Sequence, residues 1–419
     1  MKIRKNSTIC FLLSWVAIIL SVSSCHKETN TTKLSSKSCF VVPLYLKGAF
    51  ISDGEPFFFG WDHKEVLVNS DLYVSHGNMS RISLNPLSGN FSEITTNYAP
   101  LLPKNTTLST GINQLKPNSN SFILNSEFTY FDTAGNSYNY TKLYLADKNV
   151  TLQKEFKLFD STIIVNSVEQ MADGRYVIAY TDEKIKKISC YSSNLTMDWT
   201  RTVEFGSFPK DFDHQQVLVS SKYIYVLQVG RYITKNYCIY QYDYEGRKLF
   251  TYELNSQTNE FTAGQLIESP NGFYSIGTKY LSEKSDYDIS ISTMSSANKL
   301  LTEHGLNITE YLPDWNTAAK NVFNTYYSGL TSYAIKTATG YAFTICYPDN
   351  KNNNCLALVM LNDQMKVESV KQITKMVRDS NTSNQINNLF FDGNRFYIIL
   401  ANAPNYYFYT LDKEGSLVK

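Results

Sequence analysis

Two short clusters of acids and a histidine come closest, in this sequence, to catalytic or metal-binding groups. They are Asp211-Phe212-Asp213-His214 and Trp61-Asp62-His63. Carboxylates and imidazole can hold a metal or transfer protons, but neighbouring residues of an extended chain point in different directions. No second group of ligands accompanies either cluster. We therefore predict no metal site, no cofactor and no catalytic residue, and we interpret both clusters as structural or solvated.

Three alternating asparagines, Asn350, Asn352 and Asn354, follow part of the pattern of a calcium-binding loop. The central glycine and the distal glutamate of such a loop are missing, so we interpret the segment as an exposed turn. A nucleophile elbow, a glycine-rich phosphate loop and a zincin helix are also absent from the sequence. Ligand-binding residues therefore stay unknown at this point. A glycosidase needs only two carboxylates brought together by the fold, so that class stays open.

Two cysteines, Cys346 and Cys355, stand at the two ends of a predicted hairpin loop. In an oxidising compartment they could face each other and form a disulfide. The alternative is two small buried side chains without a bond. Cys190 and Cys238 fall in the third strands of neighbouring repeats, where we expect free, buried thiols.

The N-terminus has the order of parts found in an export signal. Lys2, Arg4 and Lys5 precede an apolar run over residues 10–20, which is too short for a comfortable membrane span. Small residues then lead directly to Cys25 in the sequence LSVSSC. This pattern resembles the lipobox of bacterial lipoproteins with a type II signal peptide. The resemblance implies cleavage before Cys25 and acylation of its thiol, and several acyl chains together anchor durably. The alternative is an ordinary secretory signal with a chance cysteine.

Residues 26–38 are polar and rich in serine and threonine, which is typical of a flexible tether with a reach of roughly 20 Å. His26 follows the cysteine, whereas in enteric bacteria an aspartate there holds lipoproteins at the inner membrane. The resemblance thus favours the outer membrane, and Lys27-Glu28 faintly resembles the export signal of surface lipoproteins in the Bacteroidota. We predict a signal peptide (1–24), a lipidated tether (25–38) and a folded domain (39–419) in the cell envelope.

The composition describes a chain that can bury a large core, because 14% of its 419 residues are aromatic and only 18% are charged. The net charge is +1, and it becomes −2 once Lys2, Arg4 and Lys5 are removed with the signal peptide. A near-neutral chain without a basic cluster is poorly suited to binding phosphate backbones. We therefore exclude nucleic acid as a partner.

A turn-forming segment recurs through the folded domain with a period of roughly 54 residues, within the range of propeller blades. Its members are rich in Asp, Asn, Ser and Gly, the residue types that tight turns require. Seven copies are found, at residues 85–90, 145–152, 190–197, 243–246, 295–298, 362–365 and 412–415.

A second marker precedes the second strand of each unit and is clearest as Asp173-Gly174-Arg175-Tyr176 and Asn271-Gly272-Phe273-Tyr274. Several of the strands that follow, such as residues 223–227 and 396–400, are apolar at every position. Two-sided burial requires sheets packed on both faces, which radially arranged blades provide. The chain therefore predicts an all-β fold, a seven-bladed β-propeller of four-stranded antiparallel blades, with six or eight blades as the alternative.

The repeat pattern is similar to the loose repeats of many bacterial propeller lipoproteins, of no assigned family. It lacks the Trp-Asp ending of WD40 blades and the paired glycines of kelch blades. One helix is predicted over residues 314–326, as an insertion where a repeat lengthens. The final unit stops at Lys419, soon after its fourth strand begins, and residues 40–46 could complete it and close the ring.

Three functional readings follow. The first is a non-catalytic binding or scaffold lipoprotein that holds a glycan, peptide or partner protein, with the membrane as a partner through its lipid. The second is an envelope enzyme such as a glycoside hydrolase or lyase, and the third a structural subunit of an outer-membrane complex. Because no catalytic signature is visible, the first is preferred.

Overall fold

The computed structural model describes residues 39–418 with internal gaps. The gaps are residues 43–44, 53–54, 62–65, 68–72, 75–77, 85–90, 98–105, 115–120, 132–133, 135, 148, 150, 157–162, 183–184, 204–211, 231–235, 256–260, 271, 282–285, 295–300, 315–330, 350, 352, 378–383 and 403–404. The chain divides into two compact units, Met1–Ser36 and Lys37–Lys419, of which only the second contains described residues. The signal peptide, Cys25, the tether and all but the first residue of the helix predicted over residues 314–326 thus lie outside the described residues.

The described residues form seven four-stranded antiparallel sheets and one two-stranded hairpin. The hairpin pairs β4 (Val66–Leu67) with β5 (Tyr73–Val74). Sheet 1 contains β2 (Tyr45–Ser52), β3 (Glu55–Trp61), β6 (Asn78–Leu84) and β7 (Phe91–Asn97). Sheet 2 contains β8 (Thr106–Gln114), β9 (Ser121–Phe131), β10 (Ser137–Asp147) and β11 (Leu152–Phe156). Sheet 3 contains β12 (Ile163–Gln170), β13 (Tyr176–Asp182), β14 (Ile185–Tyr191) and β15 (Met197–Thr202).

The next three sheets repeat this plan. Sheet 4 contains β16 (Phe212–Val219), β17 (Ile224–Gly230), β18 (Asn236–Tyr242) and β19 (Lys248–Asn255). Sheet 5 contains β20 (Phe261–Ser269), β21 (Gly272–Leu281), β22 (Asp286–Met294) and β23 (Leu301–Leu306). Sheet 6 contains β24 (Thr331–Lys336), β25 (Gly340–Pro348), β26 (Asn353–Asn362) and β27 (Val367–Val377).

Sheet 7 joins the two ends of the domain. It contains β28 (Asn384–Phe391), β29 (Arg395–Asn402), β30 (Asn405–Asp412) and, as its outermost strand, β1 (Cys39–Val42). The antiparallel register pairs Phe40 with Phe408 and Val42 with Tyr406. The predicted closing strand is thus confirmed as far as Val42, but its last residues were assigned wrongly, because Tyr45 and Leu46 belong to sheet 1.

The sheets follow one another as in a β-propeller. The first strands of successive sheets contact one another in chain order, and β28 of sheet 7 contacts β2 of sheet 1. The predicted all-β propeller of four-stranded antiparallel units is confirmed. None of the described segments is a helix long and apolar enough to cross a membrane.

The core lies between the sheets, because central strands whose side chains are described bury apolar residues on both faces. In β17, Ile224 and Val226 pack toward sheet 3, while Tyr225 and Leu227 pack toward sheet 5. In the same way, alternate residues of β13 belong to clusters shared with sheet 2 and with sheet 4. The absence of strict alternation in the sequence is therefore explained by burial on both sides.

Two kinds of connection define two faces of the propeller. The turn face carries the turns that join first to second and third to fourth strands, and the loop face carries the remaining connections. On the turn face, Asp243 Oδ1 accepts hydrogen bonds from the backbone N–H groups of Glu245 (3.0 Å) and Arg247 (2.8 Å). Asp412 and Asn362 do the same in their own turns. This local chemistry is why the turn marker recurs in the sequence.

Candidate functional site

The interface between sheets 3 and 4 changes from apolar to polar toward the loop face. Its apolar part contains Val177, Ala179 and Ile188 of sheet 3 packed with Val217 and Val226 of sheet 4. At the loop-face end these give way to hydrogen-bonding side chains, which we call the amide cluster. It consists of Asn166, Thr181, Lys186, Gln215 and Gln228.

Hydrogen bonds join the amide cluster across the two sheets. Within sheet 3, Lys186 Nζ donates to Thr181 Oγ1 at 2.8 Å, and Asn166 Nδ2 donates to the same oxygen at 3.1 Å. Asn166 Nδ2 also donates to Gln215 Oε1 of sheet 4 at 3.3 Å. Lys186 is 7% exposed, so its charge lies at a largely dehydrated position where such bonds are strong.

Two glutamines form the deepest part of the cluster. Gln215 of β16 pairs directly with Gln228 of β17, and both side chains are fully buried. Gln215 Nε2 and both polar atoms of Gln228 have no hydrogen-bond partner among the residues that the structure describes. An unpaired buried polar group costs about 1–3 kcal/mol, so this pair requires a physical explanation.

A β-bulge in the first strand positions each half of the cluster. The register shifts between Val165 and Ser167 in β12, so Asn166 is the extra residue there. In β16 the shift lies between Phe212 and His214. Bulges re-aim side chains at sheet edges and near functional sites, and here one places the Asn166 amide over Gln215.

An exposed apolar side chain adjoins the polar groups. Ile164 lies directly opposite Thr181 in the register of sheet 3, so the two side chains share a face, and Ile164 is 58% exposed. On the other face of that sheet, Lys187 Nζ binds Asp182 Oδ2 at 2.7 Å. The cluster thus combines buried donors and acceptors with an accessible apolar surface, as ligand sites do.

Two cysteines, Cys190 and Cys238, lie in the core near this interface. Both are buried and neither forms a disulfide, as predicted. Burial raises the pKa of the Cys190 thiol to about 11, because a thiolate is poorly solvated in the core. A thiol with such a pKa is protonated at neutral pH and is a poor nucleophile.

The possible disulfide between Cys346 and Cys355 does not form in the structure, which has the alternative of two unlinked thiols. Both thiols are free. Cys346 pairs with Leu356, whereas Cys355 pairs with Tyr347, so the two cysteines lie on opposite faces of sheet 6. Cys355 packs in the core shared with sheet 5, and Cys346 against the core shared with sheet 7. The loop length suggested proximity, but the register separates the side chains.

A second polar group lies at the loop-face end of sheet 6. Asp349, which is 3% exposed, forms an ion pair with Lys375 and accepts hydrogen bonds from Asn353 Nδ2 at 3.1 and 3.0 Å. Burial alone would raise the pKa of Asp349, but Lys375 and the bonds from Asn353 and Lys351 hold that pKa well below its usual range. These side chains satisfy one another's hydrogen-bonding groups, and Asp349 Oδ1 also accepts from the backbone N–H groups of Lys351 and Asn353.

The acid–histidine clusters of the sequence are only partly described. Phe212, Asp213 and His214 begin β16, next to Gln215, and Trp61 ends β3. Asp211, Asp62, His63, Asn350 and Asn352 lie outside the described residues. Where the structure is described, no group of three or more His, Cys, Asp or Glu side chains is placed to hold a metal ion.

The amide cluster was not identified from the sequence. Its signal was present as Gln228 inside the apolar run Tyr225-Val226-Leu227-Gln228-Val229, a polar side chain in a strand buried on both faces. Such a residue implies a polar partner, but only the register shows that Gln215 lies opposite it.

No family model matches this sequence, and no curated protein matches it. Solved structures resemble it in fold. A protein from Lactobacillus plantarum is 11% identical with a TM-score of 0.50, covering 87% of this chain and 95% of its own. The β-propeller domain of the Trilobed protease from Pyrococcus furiosus is 12% identical with a TM-score of 0.46, covering 91% and 97%. The polysaccharide lyase Uly1 is 10% identical with a TM-score of 0.46, covering 87% and 89%. At these identities the similarity concerns the fold alone.

Proposed function

We propose that this chain is a bacterial envelope lipoprotein whose propeller binds a ligand without converting it. The ligand is a glycan, a peptide or a partner protein, and it is held on the loop face. The acyl groups on Cys25 hold the protein at a membrane, which we propose to be the outer membrane. The lipobox-like sequence around Cys25 supports the anchor, and the propeller fold supports a binding surface built from loops.

One observation carries the binding proposal, namely the buried amides of Gln215 and Gln228 at the loop-face end of sheets 3 and 4. The pair has unpaired donors and an unpaired acceptor, and the exposed Ile164 lies opposite Thr181 of the same cluster. Neutral amides can fix the orientation of a ligand through hydrogen bonds, but they are neither acids nor bases at neutral pH. This chemistry favours binding over turnover.

The binding proposal is tested with the soluble form of the domain, residues 26–419. Glycan and peptide arrays identify a ligand, and calorimetry then measures its affinity. The same protein is incubated with a polysaccharide panel and the products are separated. Binding with no products supports the proposal, whereas release of new reducing ends or unsaturated products establishes the enzyme alternative.

The anchor is tested separately in cells with the full chain and its Cys25→Ala variant. We expect the full chain to incorporate labelled palmitate and to fractionate with the outer membrane, and the variant to lose both properties. An unmodified Cys25 in the mature protein, or equal membrane association of the variant, contradicts the anchor without affecting the binding proposal.

A further inference from the structure

We infer that the Gln215–Gln228 amide pair recognises two adjacent hydroxyl groups of a neutral sugar. The inference deepens the proposed binding function and rests on it, since it names the ligand class and the residues that select it. It arises from the buried amides themselves, which within the described chain are the deepest polar groups between sheets 3 and 4.

The chemistry of the pair fits a vicinal diol. Gln228 offers one unpaired acceptor, Oε1, and one unpaired donor group, Nε2, in a single plane. A hydroxyl can accept one hydrogen bond and donate another. One sugar hydroxyl can therefore accept from Nε2 while its neighbour donates to Oε1. Gln215 Nε2 supplies a further donor to the same hydroxyls, and its Oε1 is already bound by Asn166 Nδ2.

The partly exposed side chains of the interface bear on access to the pair and on contact with a ring. Asn166 is half-buried, and its two hydrogen bonds, 3.1 and 3.3 Å long, are long for N–H···O bonds. A sugar that reaches the pair would pass this side chain. Ile164, 58% exposed, lies on the same face and offers an apolar contact for the C–H groups of a sugar ring.

A purely structural role accounts poorly for the pair. The apolar residues of the interface need no hydrogen bonds, and Ser167 Oγ and Trp199 Nε1 both bond to backbone groups of sheet 4 across it. Buried amides that only shaped the core would be expected to satisfy each other, as Gln241 does by accepting from Tyr252 Oη at 3.0 Å. A peptide group also offers one donor and one acceptor. However, a peptide group is flanked by neighbouring residues with their side chains, which would also have to enter the interface. A sugar presents two hydroxyl groups at the edge of a single ring, so we favour the sugar.

The test compares Gln228→Met with Gln241→Met, two substitutions of buried glutamines in the same sheet. Neutral hexoses and their oligomers are titrated by calorimetry into the domain and into both variants, and the Tm of each is measured. We expect Gln228→Met to weaken sugar binding at least tenfold and to keep or raise the Tm. Gln241→Met should keep the affinity and lower the Tm, because it removes the partner of Tyr252.

Three results would overturn the inference. Unchanged sugar affinity in Gln228→Met leaves the proposed binding function intact but removes the amide pair from it. A Tm that falls as far as in Gln241→Met shows that Gln228 is structurally paired. Binding of peptides or proteins but of no sugar excludes the ligand class, while a domain that binds nothing refutes the proposed function itself.

Discussion

The contact between Gly246 and Trp199 yields the sharpest stability prediction. Gly246 lies in the turn between β18 and β19 with φ of 74°, in the left-handed region. A Cβ added there would lie 2.8 Å from Cδ2 and Cε3 of Trp199 in sheet 3. The indole is held in place, because its Nε1 donates to the carbonyl of Tyr244 at 3.1 Å. Gly246→Ala therefore adds both backbone strain and a clash between sheets.

The two contributions can be estimated separately. A side chain in the left-handed region costs about 1 kcal/mol. Overpacking costs about 1–3 kcal/mol, and displacing the indole also sacrifices a hydrogen bond. We expect Gly246→Ala to lower the free energy of unfolding by about 2–4 kcal/mol in total. With an m-value of roughly 3 kcal/mol/M, the urea midpoint would fall by roughly 0.7–1.3 M.

Gly393→Ala is the matched control for this prediction. Gly393 has φ of 98°, and a Cβ built there meets nothing within 4 Å. It should therefore lose only the backbone contribution, about 1 kcal/mol, or roughly 0.3 M in urea midpoint. If Gly246→Ala is no more destabilised than Gly393→Ala at equal m-values, the packing of sheets 3 and 4 through Trp199 is refuted.

Three further predictions concern other parts of the domain. Asp349→Asn should lower stability at neutral pH, because the pKa of Asp349 is lower when folded than the value of about 3.9 expected when unfolded. The stability from a lowered carboxyl pKa is fully present above the unfolded pKa and is lost as the pH falls from there through the folded pKa. The stability difference between protein and variant should thus begin to narrow below about pH 4, and a difference that stays constant down to about pH 2 would contradict the ion pair. Cys346 and Cys355 should both react with an alkylating reagent in denaturant without reductant. If neither cysteine reacts until a reductant is added, the two form a disulfide and the prediction is wrong. Deletion of residues 39–42 should expose the edge of β30 and broaden the unfolding transition, so an unchanged transition would argue against ring closure by β1.

Local turn chemistry made the fold predictable from the sequence. The Asp243 turn uses a carboxylate that binds two backbone N–H groups and a fourth residue in the left-handed region, and such requirements restrict residue types strongly. The apolar strands were equally informative, because burial on both faces leaves few alternatives to packed sheets. Both constraints are local, since one acts within a few residues of a turn and the other along one strand. They can therefore be recognised in a single sequence.

The pairing register of neighbouring strands could not be predicted from the sequence, and the residues that the sequence analysis misplaced or missed depend on it. The sequence left open whether Cys346 and Cys355 face each other, because a shift of one position in pairing reverses the face of a side chain. The closing strand was extended to Leu46, because an apolar run does not mark where the chain passes from one sheet to the next. The amide cluster was missed for the same reason, since Gln215 and Gln228 are 13 positions apart in the sequence and adjacent only through the pairing of β16 with β17.

Hydrogen–deuterium exchange with and without bound sugar tests the central claim, ligand binding at the amide cluster, most directly. We predict that saturating ligand slows exchange at the loop-face ends of β12, β16 and β17, around Asn166, Gln215 and Gln228. The turn at residues 243–247, at the opposite end of sheet 4, should exchange at the same rate in both states. Protection confined to that turn or to another sheet would contradict the claim.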